Sequence, residues 1–285
     1  MKLQHKLLAL AVMGLAAAAP AQAKIANATS GNGELFLSVW HDNGTAVTSD
    51  DVSYSRDLGT LLNTWAGAAA PFALNAARTT AGYVESYLAD TKLANFLGSM
   101  GVGAVLKWNV VGGDVSGADR VLTTVNGAVV VPSLGNLAAI GTAIDTHLAA
   151  VNPLADTQNG FLVASVNADN LSNTATASNG NAYSAGVIWG ANLGGNTAFN
   201  TTAGLGQELD FYMLYGAGNA AVSTSVSKFT DALNPASAAK WQLASNGTLT
   251  YSIANVAAIP EADTWAMFAA GLLAVGAIAR RRMAA

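Results

Sequence analysis

The chain has 285 residues, with 13 Lys and Arg against 17 Asp and Glu, a formal net charge of −4. It contains no cysteine, which excludes disulfide bonds, a cysteine nucleophile and thiolate metal sites. Residues 24–258 hold 8 Lys and Arg against 15 Asp and Glu, a net charge of −7, which excludes the basic surface that nucleic-acid binding needs. Charged residues make up only 11% of the chain, and hydroxyl and amide side chains replace them.

The first 23 residues have the pattern of a secretory signal peptide. Two lysines precede an apolar run at 7–19, a proline follows it, and Ala21-Gln22-Ala23 is a small-x-small cleavage site. The apolar run is too short to span a bilayer, which disfavours a retained membrane helix. We therefore predict export through the Sec translocon and cleavage by signal peptidase after Ala23.

Period-two alternation of apolar residues predicts β-strands along most of the region 24–258. The predicted strands are 33–40 and 51–58 as a hairpin, 101–111, 120–131 as a hairpin around Asn126-Gly127, 160–166, 185–189, 207–215, and 240–253 as a hairpin. Asn-Gly pairs between such runs favour the tight turns of antiparallel hairpins.

Helical spacing is confined to a few segments. Apolar residues three and four apart predict one helix within 83–97 and a second over 134–151 that ends at Asn152-Pro153. A further short helix is expected at 226–233. Gly112-Gly113-Asp114 indicates a turn, and the segments 167–181 and 192–206 are typical of loops.

These elements predict a mainly β domain with some α-helix at 24–258. Strands that alternate bury one face each, which two packed sheets satisfy. We therefore expect an antiparallel β-sandwich-like ectodomain with two main helical segments that cover an edge or an end.

Few side chains in this domain suggest metal binding. His41 lies beside Asp42 at a turn, and His147 lies in a predicted helix, but neither has a metal-ligand spacing. Asp50 and Asp51, with Asp57, offer oxygen ligands without the spacing of a calcium loop. We expect no metal site and no cofactor.

One pair of carboxylates raises the possibility of an enzyme. Glu208 and Asp210 lie two apart on one predicted strand face, and paired carboxylates on a β-sandwich are the equipment of a glycosidase. An exposed acidic stripe is the simpler interpretation. Six tryptophans allow either a carbohydrate-stacking strip or core packing, and we favour core packing. The sequence has neither a Gly-x-Ser-x-Gly elbow nor a phosphate loop, and we identify no catalytic residue.

The C-terminal segment 259–285 has three parts. Pro260-Glu261-Ala262 begins it, an apolar stretch follows at 264–279, and Arg280-Arg281-Arg282 comes near the end. Sixteen helical residues extend about 24 Å, against about 30 Å for a bilayer core, so the arginines would have to snorkel to the interface. The pattern predicts a short transmembrane helix with the arginines in the cytoplasm.

This three-part order resembles the PEP-CTERM sorting signal. The segment Pro260-Glu261-Ala262-Asp263-Thr264 is similar to a variant of its motif, with Ala262 where the second proline usually stands. The resemblance implies handling by exosortase, a membrane-embedded transpeptidase-like cysteine protease of Gram-negative bacteria. It further implies transient or lasting residence in the inner membrane, cleavage near Pro260-Glu261, and release or attachment at the cell surface. Proteins with this signal occur in bacteria that make exopolysaccharide, biofilm or floc matrix.

Two functions fit these features. The first is a non-enzymatic cell-surface or matrix protein, structural or adhesive, with exopolysaccharide as a further partner. The alternative is a carbohydrate-binding module or polysaccharide-acting enzyme. An open groove with two carboxylates and a tryptophan platform would favour the alternative, and a closed core that contains the tryptophans would favour the first.

Overall fold

The computed structural model describes residues 24–42, 50–68, 72–101, 103–116, 119–127, 136–159, 171–216, 225–255, 267 and 270–273. The chain divides into two compact units, Met1–Ala254 and Asn255–Ala285. The strands of the first unit are β1 (Glu34–His41), β2 (Val52–Leu61), β3 (Val84–Tyr87), β4 (Leu106–Asp114), β5 (Arg120–Val125), β6 (Ser172–Thr176), β7 (Glu208–Tyr215), β8 (Ser225–Lys228), β9 (Ala239–Leu243) and β10 (Leu249–Ile253). Its α-helices are α1 (Thr91–Ser99) and α2 (Leu137–Asn159).

All ten strands belong to one antiparallel sheet. Their order is β3-β10-β9-β7-β5-β4-β1-β2-β6, and β8 and β9 follow one another along the same edge of β7. The prediction of a mainly β, antiparallel domain is confirmed. The prediction of two stacked sheets is wrong, because the described strands form a single sheet with a core on each side.

We call the two sides of the sheet the first face and the second face. The first face carries the larger core, which includes Leu37, Trp108, Phe211, Trp241 and Tyr251. The second face carries a smaller core, in which α2 packs against β4, β5 and β6. Since β1, β4 and β5 are buried on both faces, they lack the polar alternation of a half-exposed strand.

The sheet curls around the first core. Tyr54 Oη donates to Asp90 Oδ2 at 2.7 Å, and Arg56 Nη1 donates to the Leu88 carbonyl at 2.5 Å. Tyr54 and Arg56 belong to β2, whereas residues 88–90 follow β3 at the other end of the strand order. Helix α1 then inserts Leu93 and Phe96 into the first core. The first core is therefore enclosed by one curled sheet, whereas the sequence predicts a core between two packed sheets.

The edge strand β6 lies within a segment that we predicted as a loop. Ser172–Thr176 pairs with Val52–Arg56 of β2, so tertiary pairing overrides a weak local pattern. At the outer edge of β6, the side chain of Gln158 donates to the Thr174 carbonyl at 2.6 Å and accepts from the Thr174 amide at 2.8 Å.

The segment predicted as one helix within 83–97 is a strand followed by a helix. Val84–Tyr87 pairs with β10, and Asp90 caps α1 by accepting from the Leu93 amide at 2.7 Å. The predicted turn at 112–114 is also wrong, since these residues end β4. Gly112 permits a close approach, because a Cβ there would lie 2.6 Å from the Glu34 carbonyl oxygen.

Other predicted boundaries shift. Helix α2 continues through Pro153, strand β8 replaces the short helix expected at 226–233, and 185–189 is not a strand. The strands expected at 33–40, 51–58 and 207–215 and the hairpin at 240–253 are confirmed, whereas the strand expected at 101–111 begins only at Leu106. The predicted strand at 160–166 and the second half of the hairpin at 120–131 lie outside the described residues.

Candidate functional site

The predicted processing residues lie outside the part of the chain that the structure describes. These residues are Ala21, Ala23, Pro260, Glu261, Ala262, Arg280, Arg281 and Arg282. Within the predicted membrane segment 264–279, Met267 and residues 270–273 are helical. Among the described residues, no helix is both long enough and apolar enough to cross a membrane. The signal peptide, the sorting signal and the transmembrane helix therefore stay predictions.

The histidine and aspartate candidates do not form one site. His41 ends β1, is half-buried, and has Nδ1 3.1 Å from the Val105 carbonyl oxygen. Asp51 and Asp57 are buried, whereas Asp50 is exposed, and Asp57 Oδ1 accepts from the Gly59 amide at 2.7 Å. The described ranges contain no group of three or more His, Asp or Glu side chains that could hold a metal ion.

The carboxylate pair of β7 is engaged by lysines. Asp210 accepts from Lys228 Nζ at 2.7 Å through Oδ2 and from Lys240 Nζ at 2.6 Å through Oδ1. A glycosidase needs one carboxyl group to protonate the leaving group and another to act as base or nucleophile. Because two ammonium groups occupy both of its oxygens, Asp210 is placed as a structural anion that joins β7, β8 and β9.

The second face is open to solvent beyond the reach of α2. Two cross-strand rows cover this part of β7, β9, β10 and β3, and we call them the open surface. The rows are Glu208, Gln242, Thr250 and Ser86, and Asp210, Lys240, Ser252 and Val84. Their side chains are half-buried or exposed, and most offer amide, hydroxyl or charged groups. The arrangement is a surface of hydrogen-bonding side chains.

The tryptophans pack into the cores. The five described ones, Trp40, Trp65, Trp108, Trp189 and Trp241, are each at most 2% exposed, which confirms core packing for them. Trp265 lies outside the described residues.

Trp65 lies at the centre of the first core. Its ring centroid is 4.9 Å from that of Tyr251, 5.3 Å from that of Phe211 and 6.1 Å from that of Phe229. All three contacts are edge-on, the geometry that aromatic quadrupoles favour. The guanidinium carbon of Arg78 lies 3.9 Å from the Trp65 centroid.

Sequence reasoning missed a buried ion pair on the first face. Arg120 is fully buried, with Nη2 3.7 Å from Asp114 Oδ2. Its guanidinium also donates to the Ala66 carbonyl at 2.8 Å and to Asn63 Oδ1. Burial lowers the pKa of Arg120, and burial together with the Asp114 charge raises the pKa of Asp119. Asp114 and Arg120 face each other in the β4–β5 pair, so reading 106–125 as a hairpin would have found them.

His147 is a buried neutral histidine on the second face. Its ring stacks on Trp189 at 4.6 Å and on Phe36 at 5.9 Å, and Nδ1 lies 2.7 Å from the Asn181 carbonyl oxygen. Burial lowers the pKa of His147 to about 4. The ring is therefore uncharged at neutral pH, and its environment is that of a core residue.

The chain was compared with protein-family models, curated proteins and solved structures, and none of the three comparisons gives a match.

Proposed function

We propose that this chain is an exported cell-surface or extracellular-matrix protein, structural or adhesive in a biofilm or exopolysaccharide matrix. The two terminal segments support export through the Sec translocon, processing by signal peptidase and sorting by exosortase at the inner membrane. A chain with 11% charged residues and no cysteine is consistent with that route.

The proposal depends on one observation. The tryptophans and the Asp210 carboxylate, which an enzyme would use to bind and cleave a sugar, make structural contacts instead. The five described tryptophans fill cores, so they offer no stacking platform for a sugar. Asp210 is bound by two lysines, one at each of its carboxylate oxygens. These contacts favour a structural or adhesive domain over a polysaccharide-acting enzyme.

The open surface supports an adhesive role. Hydroxyl, amide and charged side chains alternate there along four neighbouring strands. Such groups exchange hydrogen bonds with a hydrated polysaccharide without burying apolar area, so each contact is weak and many are needed. A matrix component, which meets repeated sugar units, suits that mode of binding.

Gene deletion tests the role. We expect the loss of matrix or of cell aggregation, restored by the full chain but not by a chain that lacks 260–285. A chain with Glu208→Gln and Gln242→Ala tests the open surface separately, since it keeps the sorting segment. Restoration by the truncated chain would contradict the sorting proposal, and an unchanged matrix after deletion would contradict the matrix role.

Mass spectrometry of surface-released protein tests the processing. We expect a mature chain that begins at Lys24 and ends near Pro260-Glu261. Released protein with the intact end Arg-Arg-Arg-Met-Ala-Ala would contradict exosortase sorting. Glycan-array binding, followed by a search for hydrolysis products, tests the alternative: hydrolysis abolished by Asp210→Asn would establish an enzyme.

A further inference from the structure

Four polar side chains lie side by side inside the second core, and we call them the polar row. Asn173 of β6 is opposite Ser55 of β2, Ser55 is opposite Ser38 of β1, and Ser38 is opposite Asn109 of β4. Directly opposite residues of antiparallel strands point to the same face. The row therefore crosses four strands, roughly 14 Å at about 4.8 Å per strand spacing. All four side chains are fully buried.

Each member of the polar row has an atom without a partner. Ser38 Oγ, Ser55 Oγ, Asn109 Oδ1 and Asn173 Oδ1 make no hydrogen bond to the residues that the structure describes. The neighbouring positions on this face of β1 are Phe36 and Trp40, both in the apolar second core. The polar row is thus a line of buried hydrogen-bonding groups, flanked on β1 by apolar side chains and on β2 by the buried Ser53 and Asp57.

The orientations of the two amides are fixed by their other contacts. Asn173 Nδ2 donates to the Val151 carbonyl at 2.9 Å, and a carbonyl can only accept. Asn109 Nδ2 donates at 3.2 Å to Thr201 Oγ1, whose own proton is donated to the Ala191 carbonyl at 3.0 Å. Flipping either amide would therefore break a bond, so both Oδ1 atoms remain acceptors without a donor.

The layer that covers the row contributes three more such atoms. His147 Nε2, Ser184 Oγ and Trp189 Nε1 are buried and have no partner within the described ranges. His147 and Trp189 both stack on Phe36, two residues from Ser38 in β1. Since His147 Nδ1 donates to the Asn181 carbonyl, Nε2 of the neutral ring is an acceptor.

These seven atoms define the chemistry of a partner. They include two amide oxygens and an imidazole nitrogen that accept, an indole that donates, and three hydroxyls that do both. Buried polar groups in folded proteins almost always have a partner, because leaving them unpaired is costly. A fully deprotonated anion has no proton for the three acceptors, none of the seven groups carries a positive charge to balance an anion, and a cation cannot accept from the indole. A small neutral molecule that donates and accepts at once fits the whole set.

We propose that the polar row and the three groups above it bind a line of internal water molecules. Water donates two hydrogen bonds and accepts two, and buried waters in proteins take two to four polar partners. The line joins the sheet to α2 at Asn173 and to the irregular segment 181–201 at Asn109, where direct contacts already exist. The covering layer of the second face is then held to the sheet through solvent as well as through apolar contact.

A high-resolution crystal structure of the full chain tests the site directly. We expect ordered water density that bridges Ser38 and Ser55 to the Oδ1 atoms of Asn109 and Asn173. Direct hydrogen bonds from the serine hydroxyls to these amides, with no solvent density between the strands and α2, would overturn the proposal.

Magnetic relaxation dispersion of water in solution gives a second test that needs no crystal. We expect long-lived internal waters in the unmodified chain and fewer of them in Ser38→Val and Ser55→Val. Ser86→Val, on the open surface, is the matched control and should leave the signal unchanged. If a valine prevents folding, Ser55→Ala replaces it and should also lower the number of waters. An equal signal from all the folded variants would contradict the assignment.

Discussion

On the first face of the sheet, aromatic rings interlock around Trp65, and the buried pair of Asp114 and Arg120 lies on the same face. The second face beneath α2 combines apolar side chains with a buried histidine and a row of Ser and Asn. Farther along, the side chains of the same second face are half-buried or exposed, and two lysines contact Asp210 there. One sheet therefore presents three environments of different polarity. We therefore expect the effect of a substitution on the free energy of unfolding to depend more on the face of the sheet than on the strand.

Removal of Trp65 should have the largest effect. Trp65→Ala deletes a ring that contacts four aromatic side chains, and we expect a loss of about 5 kcal/mol in the free energy of unfolding. Urea unfolding followed by circular dichroism measures it. Leu233→Ala, at a side chain that is 94% exposed, is the control and should change stability by less than about 0.5 kcal/mol. Similar losses in the two variants would refute the central place of Trp65.

Breaking the buried ion pair should come next. Arg120→Met leaves the Asp114 carboxylate buried without its cation, and we expect a loss of about 4 kcal/mol. The double variant with Asp114→Leu should recover much of it, because the uncompensated charge is then absent. The same urea titrations apply. A double variant as unstable as the single one would show that the carboxylate is not the source of the loss.

The histidine of the second face should make stability depend on pH. The folded pKa of His147 is about 4, below its unfolded value of about 6.5, so only the unfolded chain takes up a proton between these values. Stability contributed by neutral His147 is complete above about pH 6.5 and falls by about 3 kcal/mol as the pH drops to about 4. Unfolding measured across this range should show a steeper slope than in His147→Phe. Parallel slopes would mean that His147 titrates alike in both states.

The smallest effect belongs to the open surface. Asp210→Asn removes two ion pairs, but the lysine side chains are 33% and 36% exposed, and solvent screens such pairs. We expect a loss below about 1 kcal/mol, reduced further by salt. Glu208→Gln on the same strand is the control and should change nothing measurable. If Asp210→Asn lowered the free energy of unfolding as much as Arg120→Met, the buried Asp114–Arg120 pair and the half-exposed lysine contacts of Asp210 would not differ in strength.

The hairpins at both ends of the domain could be predicted because their apolar residues alternate and the two strands of each hairpin follow one another in the chain. Strand β6 could not be predicted, since the segment Ser-Asn-Thr-Ala-Thr has no apolar alternation and its partner β2 lies about 120 residues earlier in the sequence. The single sheet was missed for a related reason. Strand patterns report burial of each face, but they do not report whether facing strands belong to one curled sheet or to two.

The candidate site was predictable only in part. Glu208 and Asp210 were recognised as a pair on one strand face, but the lysines that engage Asp210 come from β8 and β9, which pairing alone brings together. The polar row could not be predicted from the sequence, because Ser and Asn are typical surface residues. Their burial follows only from the packing of α2 and the segment 181–201 against the sheet.

The contact of Gln158 with Thr174 has a consequence for the way in which copies of this chain could associate. An unpaired strand edge is a template on which another chain can add a strand, and such growth leads to fibres. The amide of Gln158 occupies both backbone groups of Thr174, the same groups that an incoming strand would need. At the other end of the sheet, β3 is only four residues long, and the Leu88 carbonyl just beyond it is taken by Arg56. Extension of the sheet by another chain is therefore hindered at Thr174 of β6 and beside Leu88, just beyond β3.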